Sequence, residues 1–405
     1  MTTTQPITAQ TADATTPRRA RLGFVLAVGT QIVMMMGASA PSPFYPVLAA
    51  EIGFDAIVIS AVFAVYAIAL LLALLTAGSL SDHIGRRPVV TGGLLLLAGS
   101  MVLFWHADSV ATLVLARILQ GAASGVLIAA LSAAALDLAP GGRAKTAALW
   151  NALSPGIGLA LGALVSGIAL DATGEPLLDV FAPLTVAYLA LAGLFLLAPE
   201  TAPLTPGAWA SLSFRLSIPG SIRADFWRGA PAVIAGWATG GLFLSLGANI
   251  VRTELGGEAH TWQGLSVAML AGVGAIAAFT LRRRAPRTSV IFGTAALAVG
   301  TALSLVALGL GSLPFYLAAT AITGMGFGTA FSGVVGSLAP RIPAHARADT
   351  FAVIYVLAYL AFAVPAVVAG TLVGAFGLGA VCLGYGVVVI ALAVIAFTLR
   401  VRRAE

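Results

Sequence analysis

Apolar stretches of about 20 residues recur along this chain from residue 22 to residue 399, almost free of charge. At 1.5 Å per residue, a helix of that length crosses the ~30 Å hydrocarbon core of a bilayer. The stretches predict spans at 22–49, 56–79, 89–106, 109–136, 146–170, 180–199, 229–251, 262–281, 288–311, 313–338, 350–374 and 377–399. No other fold class suits this pattern, because a bilayer leaves backbone groups only helices or closed barrels in which to pair. Composition agrees. Charged residues are 9% of the chain, against roughly 25% in soluble domains, and mean hydropathy is +1.02. The outer surface therefore faces lipid, and the 46 glycines suit helices that approach closely.

The charges fall on one side. With the N-terminus in the cytoplasm, all but two of the 21 Lys and Arg sit in cytoplasmic segments, from Arg18, Arg19 and Arg21 to Arg400, Arg402 and Arg403. Arg252 lies outside and Arg117 lies within span 4. Positive charge stays inside, so both termini are expected in the cytoplasm of a cell inner (plasma) membrane. Net charge is +6. No aromatic-interleaved basic patch accompanies it, so nucleic acid is excluded as a partner. Residues 1–21 read as a disordered tail. Arg18–Arg21, an apolar run and Ala38-Ser39-Ala40 also resemble a cleaved signal peptide. Against that, apolar character continues through residue 50, and cleavage would leave eleven spans. The single Cys382 forms no intrachain disulfide.

The chain repeats itself. GRAKTAALWNAL (142–153) aligns with ARADTFAVIYVL (346–357) at a shift of 204. SGIALDATG (166–174) aligns with AGTLVGAFG (369–377), and GAASG (121–125) with GMGFG (324–328), at a shift of 203. This divides the chain into a six-helix bundle at 22–199, a polar linker at 200–228, a second bundle at 229–399 and a C-terminus at 400–405. Parallel repeats with a site at their interface are a transporter architecture.

The loop between spans 2 and 3 reads GSLSDHIGRRPVV (78–90). Gly78 and Gly85 permit close backbone approach. Asp82 and Arg86, four apart, can share a helix face. With Gly78, Leu80, Asp82, Gly85, Arg86 and Arg87 in register, this segment resembles the major facilitator signature G-x-L-x-D-x-x-G-R-[KR]. The resemblance implies twelve helices in two pseudo-symmetric six-helix bundles working by alternating access. It also implies that Asp82 meets the start of span 11 near Thr350, and that Arg86 pairs with Asp137 at the end of span 4. The loop would then be a conformational latch.

Three further segments resemble the twelve-span drug:proton antiporter branch. GASAPSPFYP carries Gly37, Pro43 and Pro46 in the pattern G-x5-P-x-x-P. LVLARILQG carries Leu113, Arg117, Gln120 and Gly121 in L-x3-R-x2-Q-G. WNALSPGIGL matches the antiporter motif G-x3-G-P-x2-G-G at Pro155 and Gly158, while Trp150, Ser154 and Leu159 stand where that motif has glycine. Pro43, Pro46, Pro155 and Gly158 are candidate hinge residues. Pro199-Glu200-Thr201 ends span 6 as it often does in this branch.

A charge in hydrocarbon is costly, so Arg117 should face the bundle interior or a watery path. Gln120 shares its face. Arg117 either lines the path and influences proton transfer, or packs against backbone carbonyls. No Asp or Glu falls mid-span, although proton coupling calls for a titratable group and Arg is not one. Candidate substrate-cavity residues are Gln31, Met35, Tyr66, Asn151, Trp237, Asn249, Tyr355 and Tyr359, each of which could equally be a packing residue. The four histidines, His83, His106, His260 and His345, lie in or beside loops. No enzyme fingerprint, metal site or cofactor motif is visible. The expectation is a monomeric, proton-coupled exporter of small amphipathic or apolar compounds. An uptake symporter for a small organic solute and a non-transporting membrane sensor on the same fold are the alternatives.

Overall fold

The structure is a computed structural model describing residues 17–202, 204–207, 216–343 and 346–402. Most of the expected tail, together with Arg215, His345 and Arg403, lies outside the described residues. Among those described there is no strand. The first half contains α1 (Pro17–Ser39), α2 (Tyr45–Ile52), α3 (Ala56–Ala77), α4 (Ser81–Ile84), α5 (Arg86–Trp105), α6 (Val110–Asp137), α7 (Ala144–Ala172) and α8 (Pro176–Leu197). The second contains α9 (Gly220–Ser245), α10 (Gly247–Asn249), α11 (His260–Leu281), α12 (Pro286–Gly309), α13 (Leu313–Leu338), α14 (Arg347–Phe376) and α15 (Leu378–Val401).

The long helices are apolar on all sides, because one side meets lipid and the other meets helices. In α3, Leu70 and Leu71 are buried while Ile68 and Leu72 are half exposed. Eleven helices are long and apolar enough to span, and α9 with its continuation to Glu254, bent by 64°, makes a twelfth. Two expected spans are thus not straight. Span 1 breaks between Ser39 and Tyr45, where Pro41 and Pro43 supply no N–H to continue the ladder. Span 7 begins earlier than expected, at Gly220, so the last part of the 200–228 segment is helical.

The two halves pack alike. In the first, α1 packs on α7, α3 on α6, and α5 on both α6 and α8. In the second, α9 packs on α14, α11 on α13, and α12 on both α13 and α15. Each pairing is the counterpart of the other half's, as the repeat requires. The halves meet along α7 with α11 and α3 with α14, two seams exchanged by the same pseudo-twofold relation. Call the side carrying the α3–α5 loop the basic face. The close approaches across the halves run from mid-membrane to the opposite face. Gly156 lies against Ala271 and Ala275, Gly264 against Ala163, and Gly167 against His260. Gly370 lies against Ser60, and Phe63 packs at a 51° tilt against Phe362, ring centroids 4.8 Å apart.

Without a hydrophobic drive between helices in lipid, backbone proximity and dispersion hold such bundles. At Gly328, an added Cβ would collide with the Gly274 backbone of α11. Gly328→Val should therefore cost about 1–3 kcal/mol through overpacking. Gly92 is exposed, with nothing within 4 Å of its would-be Cβ, so Gly92→Ala should be neutral or stabilising through helix propensity. Thermal unfolding midpoints of the two purified variants in detergent check this contrast.

Candidate functional site

Arg117 is 1% exposed and lies inside the first half, not in the space between the halves. This corrects the expectation that it lines the path, and the cause is the break in α1. In an unbroken helix the Gly37 carbonyl would accept from residue 41, but Pro41 has no N–H. The Ala38 carbonyl would accept from Ser42 N, which donates to Ser39 instead. Gln120 Nε2 donates to Gly37 O at 2.7 Å, and Arg117 Nη1 to Ala38 O at 3.2 Å. Arg117 Nε donates to Tyr45 Oη at 2.8 Å, and Nη1 donates to Gln120 Oε1. The rings of Tyr45, Tyr66 and Phe104 surround the guanidinium at 5.3–5.5 Å. No carboxylate pairs with it among the described residues. Aromatic faces and neutral oxygens carry this charge. Gln120 is likewise 1% exposed. Both side chains thus join α6 to the broken end of α1, and Pro43 and Pro46 lie in and just after that break.

The 78–90 loop is fastened by Arg86 and, from outside the motif, by Glu200, which sequence reasoning had not connected to it. Arg86 Nη1 bonds Asp82 Oδ1 at 2.5 Å and Ser81 Oγ at 2.6 Å, and Arg86 Nε lies 3.5 Å from Asp137 Oδ2. Glu200 accepts from Arg86 N, Arg87 N, Thr201 N and Ala202 N at 2.8–3.1 Å. It therefore caps the start of α5 from the far end of the half, where backbone N–H groups favour a carboxylate. Gly85 has φ +96°, and a Cβ there would sit 2.6 Å from Glu200 Oε2. Both facts require glycine. Thr201 Oγ1 donates to Asp137 Oδ2 at 2.9 Å. Gly78 turns the chain between α3 and α4. Arg87 Nε is buried without a partner among the described residues. Asp82 is half exposed and bonded within its own half.

At the opposite face a second carboxylate crosses the seam. Asp171, near the end of α7, accepts from His260 N at 2.9 Å, Thr261 N at 2.7 Å and Thr261 Oγ1 at 2.6 Å. His260 Nδ1 lies 2.9 Å away and must donate, since a carboxylate only accepts. The residue before α11 is Ala259, which offers no side-chain cap. The helix is capped by the other half. An alanine where Ser, Thr, Asp or Asn is usual was the only sequence signal.

The cavity candidates separate into groups. Gln31 Nε2 donates to Asn151 Oδ1 at 2.9 Å, and Asn151 Nδ2 to Ser132 O at 3.2 Å, in the first half. In the second half Trp237 packs edge-on against Tyr359 at 4.9 Å, Phe331 at 5.4 Å and Phe362 at 5.6 Å, with Tyr355 beside Tyr359. Tyr66 and Met35 are buried, Tyr66 over Arg117 and Met35 against Gly158 of α7. Asn249 sits past the α9 bend, away from both groups. Pro155 lies inside α7 without breaking it.

Two like-folded helical bundles, meeting at a seam closed towards one face, define a transporter fold of the membrane. The Major Facilitator Superfamily model matches residues 27–364, and the chain belongs to that superfamily. The family is one of transporters rather than enzymes. The inner membrane transport protein YajR of Escherichia coli (strain K12) is 44% identical over 61 residues, 15% of this chain and 13% of that protein. The puromycin resistance protein pur8 of Streptomyces alboniger is 30% identical over 41% of this chain and 33% of its own length. The cephamycin export protein CmcT of Amycolatopsis lactamdurans is 29% identical over 54% and 42%. The matches thus span less than half the length of each relative. Among solved structures, a POT family transporter in complex with 5-aminolevulinic acid aligns over 96% of this chain and 97% of its own, with TM-score 0.73 and 14% identity. A bacterial homologue of the human lysosomal transporter Spinster aligns over 94% and 97%, with TM-score 0.72 and 12% identity.

Two outcomes are expected. Arg117→Ala should lower stability by about 3 kcal/mol, and Tyr45→Phe by about 1–2 kcal/mol, because charged hydrogen bonds and buried carbonyls lose partners. An unchanged unfolding midpoint in Arg117→Ala, with transport abolished, would return Arg117 to the path. Asp171→Ala removes a cap worth about 1 kcal/mol and should open the opposite face several-fold more often. In a Cys382→Ala background, a cysteine at Ala163 should then react faster with a hydrophilic maleimide. An unaltered labelling rate would show that Asp171 does not hold the seam.

Proposed function

We propose that this protein is a proton-coupled exporter that exchanges small amphipathic or apolar compounds for protons by alternating access. The observation that carries the reading is the one-sided seam. The halves meet from mid-membrane to the opposite face chiefly through small residues, with the Phe63–Phe362 pair, a Ser42 hydrogen bond to Leu244 and one capping carboxylate. Such contacts can be broken and remade without disturbing either bundle. The printed functions of two relatives, puromycin resistance and cephamycin export, favour export over uptake. The bundles comprise 22–199 and 229–399 with 200–228 between them, and the working unit is the monomer. The basic face is cytoplasmic in a plasma (inner) membrane, with both termini on that side, since positive charge is retained there. The present state is then closed to the outside.

In this reading Gly78, Asp82, Gly85, Arg86, Arg87 and Asp137 form the cytoplasmic latch. Arg86, held by Asp137, fixes the loop, and Asp82 is left to cap α14 when the cytoplasmic side closes. The residue before α14 is Ala346, without a side-chain cap of its own. Arg117 and Gln120 act on transport through the break in α1. Pro43, Pro46, Pro155 and Gly158 shape the two helices, α1 and α7, that move with it.

Asp82→Asn should weaken the cytoplasm-closed state by about 1 kcal/mol, slow turnover and spare folding. Spin-label distances between the basic-face ends of α3 and α14 measure the shift. A distance distribution that did not change would sink the latch. Coupling is checked separately by imposing a pH jump on proteoliposomes loaded with a fluorescent drug. Efflux indifferent to the gradient would remove the proton from the mechanism.

A further inference from the structure

The space between the halves contains hydrogen-bonding groups but no counter-ion. Every described carboxylate lies at or near a helix end, and Arg117 is sealed behind the Tyr66 ring. What the second half presents is aromatic. Trp237, Phe331, Tyr359 and Phe362 form a contiguous wall of edge-to-face rings, and Phe362 reaches the seam, packed at a tilt against Phe63 of the first half. The Trp237 indole N–H and the Tyr355 and Tyr359 hydroxyls bond no other described residue; Trp237 and Tyr355 are half-buried and Tyr359 is buried. Across the seam, Gln31 uses its amide NH₂ on Asn151 and keeps its carbonyl free to accept.

We infer that this seam binds uncharged, flat aromatic molecules carrying a hydrogen-bond acceptor and a donor, and discriminates against permanently charged ones. The inference rests on reading the seam as the substrate path. A planar ring gains stacking area on the Trp237 wall. Its acceptor takes up N–H or O–H groups that no described protein group engages. A cation gains attraction from the ring faces, but it leaves its hydration behind and finds no carboxylate. The fixed charge of Arg117 lies just behind Tyr66 and repels it further. An anion meets that charge only through an intervening ring, with no cationic donor to bond.

Three tricyclic probes of nearly equal shape separate these cases: acridone, N-methylacridinium and acridine-9-carboxylate. Equilibrium dialysis of the purified full chain in detergent should show acridone binding at least tenfold more tightly than N-methylacridinium, with the carboxylate weaker than acridone. Trp237→Ala should weaken acridone at least tenfold. Tyr359→Phe, which keeps the ring and the packing, should weaken it several-fold. Asn151→Asp, which puts a carboxylate beside Gln31, should reduce the preference for acridone over N-methylacridinium at least tenfold. Equal or tighter binding of either ion by the unaltered chain overturns the inference. So does an absence of acridone binding, or an unchanged preference in Asn151→Asp. Dialysis needs neither gradient nor turnover, so bound acridone with no gradient-driven efflux would strike the export reading and leave this one standing.

Discussion

The fold of the first half depends on how Arg117 and Gln120 treat the carbonyls that Pro41 leaves behind. A transmembrane helix can break in hydrocarbon only if the freed backbone groups find other partners. Here Gln120 takes the Gly37 carbonyl and Arg117 takes that of Ala38. The resulting buried cation is spread over Tyr45, Tyr66 and Phe104 rather than paired with an acid. Tyr45 opens α2, so the same guanidinium fixes both sides of the break. Tyr188 of α8 approaches Gly37 so closely that any side chain there would collide with it, and its hydroxyl donates to Val33 O at 3.1 Å. The kink in span 1 is thus over-determined from α6 and α8.

That rigid corner has consequences at the seam. Just beyond the broken end of α1, Ser42 Oγ donates to Leu244 O at 2.6 Å, where α9 approaches its own 64° bend. The two broken spans, first of each half, touch at their breaks. Around them α7 with α11 and α3 with α14 close the seam, and here the pseudo-symmetry is imperfect. Asp55 caps α3 from its own chain, accepting from Ile57 N and Val58 N at 3.2 Å. The counterpart helix, α11, has no such residue and borrows Asp171 from across the seam. Packing is duplicated in the two seams, but among the described residues a carboxylate cap crosses only the α7–α11 seam.

Much of this was legible in the residues, for identifiable reasons. Span length, basic-loop bias and the 203–204 shift are set by bilayer thickness and gene-level repetition, and neither depends on side-chain orientation. The 78–90 loop could be read because its glycines and charges serve local geometry. The direction of Arg117 could not be read. A helix apolar on every side carries no periodicity to say which face meets the path, so an arginine inside it points either way with equal right. The break at Pro41 was visible as proline, whereas the α9 bend has no proline at the break and was missed. Glu200 was noted as the end of span 6. Its role as a cap on α5 joins residues more than a hundred apart and has no local signature.

The two faces pose the same chemical problem with the same solution. On the opposite face α11 begins after Ala259, and on the basic face α14 begins after Ala346. Neither start has a side-chain cap of its own. The first start is capped by Asp171 of the first half in the present state; in the proposed mechanism Asp82 caps the second when the basic face closes. In the proposed mechanism, rocking the halves opens one face as it closes the other, so only one of these caps is made at a time. If both act as carboxylate caps on helix N-termini, as proposed, losing one while gaining the other leaves the two states close in free energy. A cap is worth about 1 kcal/mol. A carrier resting at about 99:1 in one state would need a differential affinity of ~5.5 kcal/mol to be driven to about 1:99. Matched caps keep the gap small enough for a substrate's own differential contacts, or a proton gradient, to reverse it.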